Sequence, residues 1–177
     1  MALGGGCEAT LHADAVQIAA ETYMGLVEFG VGVIPGGGGT KELTKRAADR
    51  YVKDDVELNS YREALINIAQ AKVSTSAVEA FNLGYLLEER DGISMNKHRL
   101  IADAKARCLG LANAGYEAPI RERDIKVLGR QALGAFVVGA HQRMEGSYAT
   151  PYEKEKVEKV GKVMAGGDLS ESTHVSE

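Results

Sequence analysis

The chain has 177 residues, 45% of them hydrophobic and 26% charged, with a formal net charge of −4. That length suits one domain with enough apolar residues for a core, and the near balance of charge argues against a nucleic-acid partner, which a basic stripe would announce. Cys7 and Cys108 are isolated, which favours a reduced thiol pair over a disulfide framework, and the longest apolar run, Ala132 to Ala140, is far too short to span a bilayer.

In chain order, Met1 leads straight into Ala2-Leu3 and three glycines, Gly4 to Gly6, the way the middle of a domain reads where a strand enters a turn. A cut start is expected. Cys7, Ala9, Leu11 and His12 suit a short helix from Gly6 to about Ala13, and Val16 to Ala20 a short buried strand, together half of a βαβ unit. Tyr23 to Gly39 is apolar but dense in glycine, and reads as an ordered loop.

After Thr40 the pattern turns helical. Leu58, Tyr61, Leu65 and Ile68 fall on one helical face, as do Ile101, Ala104, Cys108 and Leu111 in a second helix that Asn96 caps and Gly115 ends. Leu133, Phe136, Ala140 and Met144 mark a third, stopped by Gly146. Thr150-Pro151-Tyr152-Glu153 is a capping box with proline at the first helical position, opening a fourth helix that Gly166 closes. Its Glu155/Lys159 and Glu158/Lys162 spacings indicate a solvated face. From Asp168 to Glu177 no hydrophobic pattern remains, and a flexible tail is expected.

Several familiar motifs fail on spacing. Gly39-Thr40-Lys41 reverses the order that a phosphate-binding loop needs, and Pro35 stands where a dinucleotide fingerprint has its third glycine. The four histidines, His12, His98, His141 and His174, are scattered, with no metal-ligand spacing. Cys7, at a helix start, has no partner motif and reads as a packing residue.

What remains is Gly4-Gly5-Gly6-Cys7-Glu8 together with Glu28. Glycines entering a helix bare their backbone N–H groups, and the first turn adds positive potential, which suits an oxygen gaining negative charge. A helix from Gly5 to His12 covers roughly 12 Å, and a strand from Val16 to Ala19 brings the chain back about 13 Å. Glu28 can therefore return beside the helix start. Leu26, Val27 and Phe29 bracket Glu28, so desolvation raises its pKa and lets it carry a proton while Glu8 stays ionised, one acid and one base. The ordinary alternative for Glu28 is a loop carboxylate that caps Gly36 to Gly39.

At these residues, Ala2 to Leu43, the sequence closely resembles the crotonase superfamily, in particular its enoyl-CoA hydratases: glycine turn, first glutamate, strand, second glutamate, then an Ile-Pro-Gly-rich loop. The resemblance implies the α/β ββα superhelix of that family, with residues 1–44 as the C-terminal part of its core sheet and active-site motifs. Residues 45–167 are then a helical region of the same domain and 168–177 a tail. It implies that Gly5 N–H is one of two donors to the thioester oxygen, that Glu8 and Glu28 activate water, and that Leu3, Gly4 and Gly36 contact substrate.

The run from Ala77 to Pro119 and the Ala165-Gly166-Gly167-Asp168-Leu169 segment resemble the hydratase portion of bacterial fused 3-hydroxyacyl-CoA dehydrogenase/enoyl-CoA hydratases of fatty-acid β-oxidation. Val27 in place of a proline before the second glutamate, and a long helical stretch from Lys45 to Ser74, fit that fused branch. The substrate implied is an acyl-CoA thioester, with no cofactor in this chain and NAD only where a dehydrogenase half is attached. The resemblance also implies a homo-oligomer of trimer or hexamer type, a cytoplasmic location, and an isolated chain that is inactive or folds poorly. A non-catalytic oligomerisation module and an enoyl-CoA isomerase are the competing expectations.

Overall fold

In the computed structural model, which describes residues 1–177, the first strand β1 (Ala2–Leu3) ends in Gly4, whose φ of 54° and ψ of −127° only glycine adopts without strain. The chain turns there directly into helix α1 (Gly5–Leu11). Strand β2 (Gln17–Ala19) follows, then β3 (Met24–Gly25) and a single 3₁₀ turn, Glu28–Val31, inside the stretch expected as an ordered loop.

Pairing differs from a simple βαβ unit. β1 lies parallel to β3, with Ala2 opposite Met24 and Leu3 opposite Gly25, while β2 pairs in parallel with the distant β4 (Gly92–Ser94). A parallel pair needs a crossover, and α1 with β2 supplies the first one. The return strand was legible from its apolar residues; its partner, more than seventy positions away, leaves no trace in the local pattern.

Helices α2 (Gly39–Asp49), α3 (Leu58–Ala69) and α4 (Ala77–Asn82) occupy the crossover from β2 to β4. A capped 3₁₀ turn, in which Asn96 accepts from the His98 N–H, feeds α5 (Leu100–Asn113). After β5 (Ile125–Val127) come the antiparallel pair α6 (Gly129–Glu145) and α7 (Pro151–Met164). Both halves of the Thr150/Glu153 capping box are present.

One core joins these pieces. Cys7 and Leu11 of α1, Met24 and Leu26, Leu43 and Ala47 of α2, Tyr61, Leu65 and Ile68 of α3, Phe136 of α6, and Val160 and Met164 of α7 belong to a single buried cluster of 21 residues. A division at residue 44 therefore falls inside α2, and the segments on either side share their interior.

Three expectations need correction. The face of α5 carrying Ile101, Ala104, Cys108 and Leu111 buries no residue, and Ile101 is 84% exposed. Its periodicity is real, but Ala104, Cys108 and Leu111 meet only a shallow groove beside Gln17 of β2, which leaves the face incompletely covered. Residues 168–177, expected as a flexible tail, contain β6 (Thr173–Val175), antiparallel to β5, and the Glu177 N–H donates to the Glu122 carbonyl at 2.9 Å. Backbone hydrogen bonds make that ladder while its side chains stay largely outside, so hydrophobic patterning does not register it. On α7, Glu155 pairs with Lys159 as expected, but Glu158 pairs with Lys154 and Lys162 with Asp168.

Candidate active site

Local rules place the first carboxylate. Gly4 continues the β1–β3 ladder by donating its N–H to the Gly25 carbonyl at 2.9 Å, then turns the chain so that α1 begins at Gly5. The N–H groups of Gly5, Gly6 and Cys7 lie in the first turn, where a helix offers no carbonyl of its own to accept them. Gly5 and Gly6 are exposed, with open space where a side chain would stand.

Glu8, one turn in, points away from that surface and is 7% exposed. Its Oε1 accepts the backbone N–H of Gly37 at 2.8 Å and of Gly39 at 2.9 Å, while Oε2 meets no protein donor. The glycine-rich loop is thus seated on Glu8, not on Glu28 as the alternative reading of Glu28 had it. Its glycines permit the approach: a Cβ on Gly37 would stand 2.5 Å from Glu8 Oε2.

Glu28 opens the 3₁₀ turn beyond β3, and the turn aims it back at the glycine bend. A Cβ on Gly4 would lie 3.4 Å from Glu28 Oε1. Both carboxylate oxygens of Glu28 are out of water and neither has a hydrogen-bond partner. Burial therefore pushes this carboxyl above its ordinary value; the residue's own N–H pulls it back somewhat and the charge of Glu8 raises it further. Cys7, beside them, is pushed up to about 12 by burial first and by Glu28 next, the mark of an inert packed thiol.

This asymmetry has a pH signature. A carboxyl raised in the folded state contributes stability fully below its unfolded pKa, and that contribution is lost as pH rises through the folded value. Unfolding midpoints of the full-length protein in urea, taken from about pH 4.5 upward, are therefore expected to fall less steeply in Glu28→Gln than in wild type. Parallel curves would contradict the raised carboxyl.

The structure thus brings Leu3, Gly4, Gly5, Glu8 and Glu28 to one place, with Gly36 exposed on the loop whose next residue holds Glu8. The sequence reading missed the Gly37 and Gly39 amides, although it had marked their loop. It also missed two residues of α7, Tyr152 and Lys156, which reach the Glu28 turn from a helix read as a solvated face. Next to that turn, Phe29 lines an apolar cavity of about 390 Å³ between α3, α6 and α7.

No family model matches the chain. It is 40% identical over all 177 residues to a Bacillus subtilis protein described as "Probable 3-hydroxyacyl-CoA dehydrogenase", and spans 22% of that relative's length. It is 49% identical over 54 residues, 30% of this chain and 16% of the relative, to human mitochondrial methylglutaconyl-CoA hydratase. The chain thus spans less than a quarter of the length of either relative. Among solved structures, an enoyl-CoA hydratase from Mycobacterium tuberculosis is 19% identical with a TM-score of 0.48, matched over 90% of this chain and 50% of the other. The α/β class expected from the sequence is what the structure has, helices with three short two-stranded sheets. No helix is long and apolar enough to cross a membrane.

Proposed function

We propose that this chain carries the catalytic carboxylates of an enoyl-CoA hydratase, which adds water syn across the double bond of a 2-enoyl-CoA to give 3-hydroxyacyl-CoA in fatty-acid β-oxidation. The observation that carries this reading is the contrast between two glutamates at one glycine bend. Glu8 is fixed by two amides through one oxygen; both oxygens of Glu28 are out of water without a hydrogen-bond partner, and burial pushes that carboxyl above its ordinary value.

In this scheme the Gly5 N–H, at the positive end of α1, polarises the thioester carbonyl and draws negative charge onto its oxygen. The β-carbon becomes electrophilic. Glu8 Oε2 accepts a proton from water as the water oxygen bonds to the β-carbon, and Glu28 delivers its proton to the α-carbon. The double bond is consumed, one hydroxyl and one hydrogen are added, and a proton passing from Glu8 to Glu28 resets the site. Leu3, Gly4 and Gly36 border the thioester. The product is the substrate class of a 3-hydroxyacyl-CoA dehydrogenase, the activity in the name of the Bacillus subtilis relative. A fused parent, with NAD bound only in its dehydrogenase part, follows from that reading.

The test is Glu8→Gln and Glu28→Gln in the full-length protein, following loss of the enoyl-thioester absorbance. Each is expected to slow hydration about 10²–10⁴-fold, the range for removing a general acid or base. Near-normal rates in both variants would remove the assignment.

A further inference from the structure

The 3₁₀ turn that begins at Glu28 is gripped from outside. Lys156 Nζ donates to the Phe29 carbonyl at 2.7 Å, and the Tyr152 hydroxyl donates to the Gly32 carbonyl at 2.7 Å. Both come from α7, four residues apart and so on one helical face. They bind the second residue of the turn and the glycine that ends it, across more than 115 positions of sequence. The same two carbonyls have few other ties: Phe29 O receives the Gly32 N–H at 3.3 Å.

Lys156 is an unusual residue for this task. It is 5% exposed, forms no ion pair, and its nitrogen lies 3.9 Å from the centre of the Phe29 ring and 5.2 Å from that of Tyr152. Glu153, one turn earlier, is engaged with Thr150 in the capping box. An ammonium buried without an ion pair is costly to desolvate, Glu153 acting on it only from beyond ion-pair distance, and a purely structural contact here is as well made by an apolar side chain. What the lysine adds is a directed, charge-assisted hydrogen bond to one carbonyl of the Glu28 turn, with the aromatic faces holding the cation in place.

We infer that Lys156, assisted by Tyr152, is a positioning residue for Glu28: α7 clamps the turn so that the Glu28 carboxyl stays against the glycine bend and out of water. Its catalytic consequence rests on the proposed role of Glu28. The groups that face Glu28 are Glu8 and Cys7 on α1 and Tyr85 after α4. Beyond Phe29, Arg143 on α6 and Glu153 on α7 line the same groove as Tyr152 and Lys156. None of these supplies the carbonyl contacts that α7 makes.

The experiment compares Lys156→Met, which keeps the stem's length without the donor, and Tyr152→Phe, at a residue 56% exposed whose ring is retained. In the full-length protein Lys156→Met is expected to lower kcat about a hundredfold, the scale of a reacting group misplaced by about 1 Å, with KM within twofold. Tyr152→Phe is expected to lower it about fivefold, one neutral hydrogen bond's worth. In both, the alkaline limb of the kcat profile and the carboxyl ¹³C titration of Glu28 move to lower pH, because water reaches the released carboxyl. A lower melting temperature with neither pH response changed would reduce the clamp to ordinary packing and overturn the inference. Wild-type kcat in both variants, with Glu28→Gln inactive, would overturn it while leaving the hydratase reading intact. The ¹³C titration is read without substrate, so it still decides on the clamp should Glu28→Gln prove fully active.

Discussion

Replacing Glu8 by alanine is expected to cost the full-length protein both its hydration activity and about 2–5 kcal/mol of stability, where Glu8→Gln costs chiefly activity. The difference lies in Oε1. That atom receives the N–H groups of both Gly37 and Gly39, and Gly39 opens α2, whose buried residues Leu43 and Ala47 belong to the core. Glutamine retains an oxygen that can stay with those two donors. Alanine leaves them stranded, the Gly39 donor fully buried, next to a void. Urea unfolding of both variants, set beside their rates, separates the roles. An alanine variant as stable as the glutamine one would show that the two amides do not depend on Glu8.

Gly25→Ala is expected to be the most damaging single methyl in the chain. A Cβ there would stand 2.3 Å from the Lys72 carbonyl oxygen and 3.0 Å from the Val73 Cα, both backbone atoms. That backbone has little freedom to withdraw: the Ser74 N–H donates to the Met24 carbonyl at 2.8 Å, and the Met24 N–H donates to Ser74 Oγ at 3.2 Å. Gly25 is also the residue opposite Leu3 in the β1–β3 ladder, and its carbonyl receives the Gly4 N–H. Forcing β3 aside therefore disturbs the glycine bend and the start of the Glu28 turn together. Overpacking of this kind costs about 3 kcal/mol or more, which lowers Tm by roughly 6–12 °C in a domain of this size. A Tm within a degree or two of wild type would mean that the 72–74 segment yields freely.

These two positions illustrate what each level of description supplies. Glu8 was legible because the glycine run before it is costly anywhere except at a sharp backbone bend, so residue type alone marked the spot. Gly25 was not. Nothing near it distinguishes it from Gly30, and only the packing of Lys72-Val73 behind β3 makes its missing Cβ indispensable.

By itself the sequence determined the local devices: the glycine bend into α1, the Thr150 capping box, the amphipathic face of α3, and two glutamates spaced to return to one end of a short helix. Each of these is encoded within a few turns of chain, where propensity, capping and periodicity act. The tertiary structure decided everything that depends on partners remote in sequence. It paired β2 with β4 and β6 with β5, left α5 without a buried residue, seated the Gly36–Gly39 loop on Glu8, and brought Lys156 to the carbonyl of Phe29. Backbone hydrogen bonds and buried donor–acceptor contacts between distant segments carry no periodic signature, so they exist only once the single core has closed around them.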